Sequence, residues 1–204
     1  MALGAATLGA LLTDNARRHP DRIAIVCDGR RVTYRELDLL SSSLANALIA
    51  RGIAPGDRAA VYLPNGIELV VALCGALKAG AIVVPVSTRL AAAEVEIMME
   101  DSKPSVLVFH AGARAAVQGF AAKLSNPLLI CDDGAIAGEL DLKSVMTTAA
   151  PSPVAHTSSN MDDALIAYTS GTTGRPKGAI STHANLIVGS GEMTAQAWGL
   201  RADD

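Results

Sequence analysis

The sequence predicts an α/β fold: βαβ units whose mainly parallel sheet is covered by helices. Three observations predict it. Short, continuously apolar runs such as AIVVPV (81–86) have the character of strands buried on both faces. Helical periodicity recurs between such runs, as in RELDLLSSSLANALIARG (35–52), where leucines return every three or four residues. Strands and helices then alternate at the spacing of βαβ units.

Each element follows in order. Thr7 to His19 has apolar residues at helical spacing and stops before Pro20. IAIVCDGRRVTY reads as a hairpin, with strands from Ile23 to Cys27 and through Tyr34 around an Asp28-Gly29 turn. In the helix that comes next, Leu37, Leu40, Leu44 and Leu48 form the apolar stripe and Gly52 sits past the end. DRAAVYLPN (57–65) is a strand running into a turn. GIELVVALCGALKAG (66–80) is a helix apolar on most sides, closed by Gly80. AIVVPV is the next strand, and RLAAAEVEIMMEDSKP (89–104) is a helix with Glu94, Glu96 and Glu100 on its wet side. SVLVFH (105–110), ARAAVQGFAAKL (113–124) and PLLICDD (127–133) continue the alternation. Residues 1–140 thus form a βαβ-rich part. Residues 141–162, containing the Pro-, Ser- and Thr-rich TTAAPSPVAHTSSN, read as a linker. Residues 163–204 supply a strand (DALIAYTS), a glycine-rich loop, a second strand (GAISTH) and a helix (184–200).

Composition removes several function classes. The 204 residues are 50% hydrophobic, 18% charged and 3% aromatic, with a formal net charge of −3. There is no basic field for nucleic acid and few rings for stacking on single strands. The longest apolar run, Glu68 to Val86, is broken by Lys78, glycines and Pro85, so no membrane span is expected. The N-terminus lacks a basic n-region, and a secretory signal is not expected. Cys27, Cys74 and Cys131 are isolated and odd in number, which favours buried reduced thiols and a cytoplasmic location. His19, His110 and His156 are too scattered for a metal cluster.

The chemistry concentrates in YTSGTTGRPKG, Tyr168 to Gly178. Gly171, Gly174 and Gly178 let a ligand approach the main chain, whose N–H groups can converge on anionic oxygens. Thr169, Ser170, Thr172 and Thr173 add hydroxyls, and Arg175 and Lys177 add positive charge. A polyphosphate is well served by that set. The loop is not a Walker A loop, because Lys177 precedes its glycine and the chain then enters a strand. Nor does it have the GxGxxG spacing of a dinucleotide fingerprint. A glycine-rich hairpin that binds nothing is the competing reading, disfavoured by so many hydroxylic and basic residues in one run.

YTSGTTGRPKG resembles the signature loop of the adenylate-forming enzymes: acyl-CoA synthetases, peptide-synthetase adenylation domains and luciferases. Upstream, VTYRELD (32–38), GDRAAVYLPNGIELVVALCGALKAG (56–80) and LKAGAIVVPV (77–86) are similar to family motifs in order and spacing, as is HANL (183–186) downstream. The resemblance implies the N-terminal part of the family's large domain. VPVSTRL (84–90) is closer to the acyl-CoA synthetase form than to the peptide-synthetase form. It implies a reaction in two halves: a carboxylate attacks the α-phosphate of ATP, releasing pyrophosphate, and coenzyme A then displaces AMP. By position, Thr169, Ser170, Gly171, Thr172, Thr173, Gly174 and Lys177 would hold the ATP phosphates. Thr169 would lie near Mg²⁺, Lys177 would act electrostatically, and the glycines would let the loop move. No adenylation catalyst is expected in this stretch. Tyr34 and Glu36 read as a helix-start feature, the LKAG turn as structural, and His183 as a helix-entry or core histidine.

Other parts that the family implies have no counterpart here. They are a YGxTE-like stretch, an STGD-like stretch with its ribose-binding Asp, and a small C-terminal domain with the adenylation lysine. The expectation is an N-terminal fragment of an ATP-dependent acyl- or aryl-acid CoA ligase, inactive by itself. The alternatives are a non-catalytic nucleotide- or partner-binding module, or half of a split adenylating enzyme with a complementing C-terminal chain. Each would leave an exposed apolar sheet face or edge.

Overall fold

The computed structural model describes residues 7–148, 154, 158–169 and 176–192. Its elements are α1 (Leu8–Arg18), β1 (Ile23–Cys27), β2 (Arg30–Thr33), α2 (Tyr34–Ile49), β3 (Arg58–Tyr62), α3 (Ile67–Lys78) and β4 (Ile82–Pro85). After them come α4 (Ala92–Ser102), β5 (Val106–Phe109), a 3₁₀ turn (Ala111–Ala113), α5 (Arg114–Ala121) and β6 (Leu128–Cys131). The chain continues through β7 (Glu139–Asp141), α6 (Leu142–Thr148), β8 (Asp163–Thr169), β9 (Lys177–Thr182) and a π-helical segment (Asn185–Glu192).

The architecture is α/β with a mostly parallel sheet flanked by helices. Seven strands run in the order β7-β6-β5-β3-β4-β8-β9, and β1-β2 form a separate hairpin. Every pairing from β7 to β8 is parallel; β9 alone is antiparallel to its neighbour. Strand alternation sorts the core into two layers. Ala59, Val61, Val83, Val106, Val108 and Ile130 face α2, α3 and α6. Ala60, Tyr62, Val84, Leu107, Phe109 and Cys131 face α4 and α5.

Local chemistry explains the element ends. Asp28 and Gly29 both have positive φ, as the tight hairpin turn requires. Tyr34 begins α2 rather than ending β2, because Thr33 and Glu36 form a reciprocal capping box. The Glu36 N–H donates to Thr33 Oγ1 (3.2 Å), and the Thr33 N–H donates to Glu36 Oε2 (2.7 Å). The LKAG turn closes α3 as a Schellman motif: Gly80 (φ 83°) donates to the Leu77 carbonyl and Ala81 to that of Ala76.

The stretch 141–162 is not a linker throughout. Its first residues complete β7 and form α6, and β7 itself extends the parallel sheet beyond β6. Asp141 Oδ1 accepts from the Ser144 N–H (2.7 Å) at the start of α6. Leu142, Val145 and Met146 then bury at helical spacing against the core. Arg114 ties this edge down. Its guanidinium donates to both carboxylate oxygens of Glu139 and to the Gly134 carbonyl (2.7 Å), and Glu139 is nearly sealed from solvent. Arg114→Ala is expected to open this edge locally. Amide exchange should accelerate in β7 while β3 and β5 stay protected; equal protection of β7 in both proteins would contradict the assignment.

The predicted helix over 184–200 is π-helical from Asn185 to Glu192; its remaining part lies outside the described residues. Glu94, read as part of a solvated face, also accepts the Ala91 N–H (2.9 Å) at the start of α4. Glu96 and Glu100 pair with Lys123, in the turn just after α5.

Candidate phosphate-loop site

The two strands that carry the signature run are β8 and β9. β8 lies parallel beside β4 through the Val83–Leu165 pair, so its loop leaves the C-terminal edge of the parallel sheet. Open α/β sheets bind ligands at that edge. β9 returns antiparallel, and the last pairs of the ladder are Tyr168 with Gly178 and Thr169 with Lys177.

Of the predicted phosphate-binding residues, Ser170, Gly171, Thr172, Thr173 and Gly174 lie outside the described residues. Thr169 and Lys177 are described and face each other across the neck of the loop, both exposed. Lys177 makes no ion pair with any described residue. A free ammonium and a hydroxyl at one loop mouth fit an anionic phosphate group, and a hydroxyl there also fits the edge of a metal's hydration shell.

Gly178 has a role that differs from the expected loop freedom. Its φ is not positive, and it sits within β9. A Cβ there would come 2.7 Å from Ile166 Cγ2 and 3.1 Å from the Tyr168 ring. Glycine is needed at 178 for close approach, not for motion. Tyr168 is held at its other end: its hydroxyl donates to Asp101 Oδ2 (2.5 Å) in the last turn of α4. Burial first, and the Asp101 carboxylate second, raise the Tyr168 phenol well above its usual range, so it remains a donor. Neither partner was visible as a pair in the sequence, where they stand 67 positions apart.

His183 is a packing residue. It is buried, and its Nδ1 accepts from the Leu8 backbone N–H (3.3 Å), joining the start of α1 to the chain just after β9. A cavity of about 570 Å³ opens at the C-terminal ends of β3 and β4. Leu63, Leu69, Leu73 and Val86 give it an apolar wall, and Arg89 of the VPVSTRL stretch stands at its exposed rim. Among the described residues there is no cluster of three or more His, Cys, Asp or Glu placed to hold a metal. No described helix is long and apolar enough to cross a membrane. Cys27, Cys74 and Cys131 are free thiols, and burial pushes Cys74 up to about 11, so it is no nucleophile at neutral pH. Cys27 and Cys74 are only half-buried, unlike Cys131.

β9 is the last strand of the sheet among the described residues; it is exposed along most of its length, and Ile180 keeps 59% of its surface open.

Comparison with known proteins places these features. Residues 12–204 match the family model for AMP-binding enzyme. The long-chain-fatty-acid–CoA ligase FadD13 of Mycobacterium tuberculosis is 34% identical over 173 residues, covering 85% of this chain and 33% of that protein. Syringomycin synthase SyrB1 of Pseudomonas syringae pv. syringae is also 34% identical, over 199 residues, covering 98% of this chain and 30% of that protein. Among solved structures, ATP-bound MatB from Rhodopseudomonas palustris superposes with a TM-score of 0.83 at 29% identity, over 96% of this chain and 38% of that one. The chain spans about a third of the length of these two curated relatives.

Proposed function

The chain belongs to the AMP-binding enzyme family, the adenylate-forming enzymes, and on that footing we propose that it is the N-terminal portion of an acyl- or aryl-acid CoA ligase working in the cytoplasm. Its part in the reaction is to hold the β- and γ-phosphates of ATP while a carboxylate displaces pyrophosphate from the α-phosphate. Coenzyme A thiol then displaces AMP to give the thioester. The observation that carries this reading is the neck of the loop, where exposed Thr169 faces Lys177, which has no ion-pair partner among the described residues, at the C-terminal end of a parallel strand. Thr169 would place its hydroxyl toward Mg²⁺, and Lys177 would offset phosphate charge. Ser170, Gly171, Thr172, Thr173 and Gly174 would line the cradle between them. ATP supplies the leaving group that makes the carboxylate reactive; the chain's own residues position and neutralise it.

A second reading has a specific observation behind it. The open β9 edge with Ile180 suits pairing with another polypeptide, as in a split enzyme completed by a C-terminal chain. The equal identity to a peptide-synthetase relative keeps amino acids among the candidate substrates.

ATP–pyrophosphate exchange tests the proposal. The 204-residue chain alone is expected to show no carboxylate-dependent exchange, because its loop lacks an adenosine grip and an adenylation lysine. The same chain expressed with its downstream coding sequence, or with a neighbouring frame carrying an STGD-like stretch and a late lysine, is expected to exchange with fatty or aryl acids. Lys177→Ala should lower that exchange about a hundredfold, the scale of losing one preorganised electrostatic group. Exchange by the chain alone, or exchange only with amino acids, would overturn the corresponding part of the reading.

A further inference from the structure

We propose that Tyr168 is a positioning residue for the neck of the loop and that Asp101 is its anchor. Their hydrogen bond fixes where the Thr169 hydroxyl and the Lys177 ammonium stand relative to each other. The inference rests on reading 169–177 as a phosphate-binding loop.

The mechanical path can be traced atom by atom. α4 is seated on the sheet by Val95, Met98 and Met99, all buried in one core layer. Its last turn presents Asp101, whose Oδ2 receives the Tyr168 hydroxyl at 2.5 Å. The Tyr168 ring lies over Gly178, close enough that a Cβ at 178 would meet the ring carbon Cζ at 3.1 Å. Tyr168 and Gly178 are paired in the ladder, and the next pair outward is Thr169 with Lys177. So a rigid helix holds a ring, and the ring clamps the β9 backbone one pair before the functional side chains.

The clamp matters because, among the described residues, few other side chains hold this corner. β9 is the last strand of the sheet, and Lys177, Gly178, Ala179 and Ile180 are all exposed. A phenol donating to a carboxylate is among the stronger neutral-to-ionic hydrogen bonds. Removing only its oxygen leaves the ring, and hence the packing over Gly178, in place. Tyr168→Phe therefore separates positioning from packing.

The test uses the full 204-residue chain with Tyr168→Phe, Asp101→Ala and Asp101→Asn. Amide exchange is followed at Thr169 and Lys177, and the same two amides are titrated with Mg²⁺ and inorganic pyrophosphate by NMR. Tyr168→Phe and Asp101→Ala should speed exchange at the neck about tenfold and weaken the pyrophosphate response, with the melting temperature little changed. Asp101→Asn retains an acceptor and should restore both. Exchange in Tyr168→Phe equal to wild type overturns the proposal, as does an undiminished pyrophosphate response in that variant. If the neck loosens as expected but wild-type amides ignore pyrophosphate, the anchoring stands and the phosphate-loop reading falls.

Discussion

Asp38→Ala is expected to destabilise the chain by about 3–4 kcal/mol, because it strands a buried ammonium. Lys78 lies on α3 with its side chain wholly inaccessible to solvent. Its Nζ donates to Asp38 Oδ1 (2.5 Å), to the Asp38 carbonyl (3.1 Å) and to Ser42 Oγ (2.9 Å), all on α2. Asp38 Oδ1 also accepts from Thr13 Oγ1 (2.8 Å) on α1. One carboxylate thus joins three helices, and among the described residues it alone forms an ion pair with Lys78. Removing it leaves a desolvated charge; removing the lysine instead leaves a carboxylate that is partly exposed and still bonded to Thr13. Lys78→Met should therefore be much milder. Replacing both, as Lys78→Met with Asp38→Leu, should fall within about 1 kcal/mol of wild type, since desolvation offsets most of the Coulombic gain of a buried pair. Urea denaturation of the set checks this ordering, and an Asp38→Ala loss no larger than that of Lys78→Met would refute it.

The pH dependence has a definite sign. Burial lowers the Lys78 ammonium below its ordinary 10.5, with Asp38 pulling it back up. Between the depressed folded value and 10.5 the unfolded chain binds more protons, so stability rises with pH across that window. Below it, the burial penalty is present in full. Without Asp38 the folded value falls further and the window widens downward. The deficit of Asp38→Ala should therefore shrink as pH is raised from 7 toward 10. A deficit that grows instead would mean that the charge on Lys78 is not the source of the penalty.

This pair also shows where sequence reading stops. Elements with local signals were legible: the helix start around Tyr34 and Glu36, the Gly80 helix end, and the continuously apolar strands. Lys78 was visible only as an interruption of an apolar run, since its partner lies 40 positions away and no periodicity links them. Tyr168 and Asp101 escaped for the same reason. β7 and α6 were lost differently. Their elements are short, and the Asp141 cap with Leu142, Val145 and Met146 is a weak pattern beside a long Pro- and Ser-rich stretch. The candidate phosphate loop was the opposite case, because its residues are contiguous in the chain and its two flanking strands carry local signals. Only its neck, Thr169 opposite Lys177, needed the fold.

Gly75→Ala is expected to destabilise by about 1–2 kcal/mol although alanine is the better helix former by about 1 kcal/mol. Gly75 sits in α3 where it crosses α2, and a Cβ there would fall 2.8 Å from Leu44 Cδ2, 2.9 Å from Cγ and 3.0 Å from Cβ. Rotating the leucine cannot relieve this, because its Cβ is fixed by the backbone of α2 and the side chain is fully buried. The helices would have to part. Gly75→Val, with two more methyl groups at the same point, should lose about 3 kcal/mol or more. Leu44→Ala alone should lose about 3 kcal/mol through the cavity it leaves. In that background the Cδ2 and Cγ contacts are gone and only the Cβ contact at 3.0 Å remains, so adding Gly75→Ala should be close to neutral, the helix-propensity gain offsetting the residual crowding. The coupling between the two sites, about 1–2 kcal/mol by double-mutant cycle, measures how closely α2 and α3 are pressed together. Additive losses would show that the crossing has room to spare, and that the glycine in GALKAG serves something other than this contact.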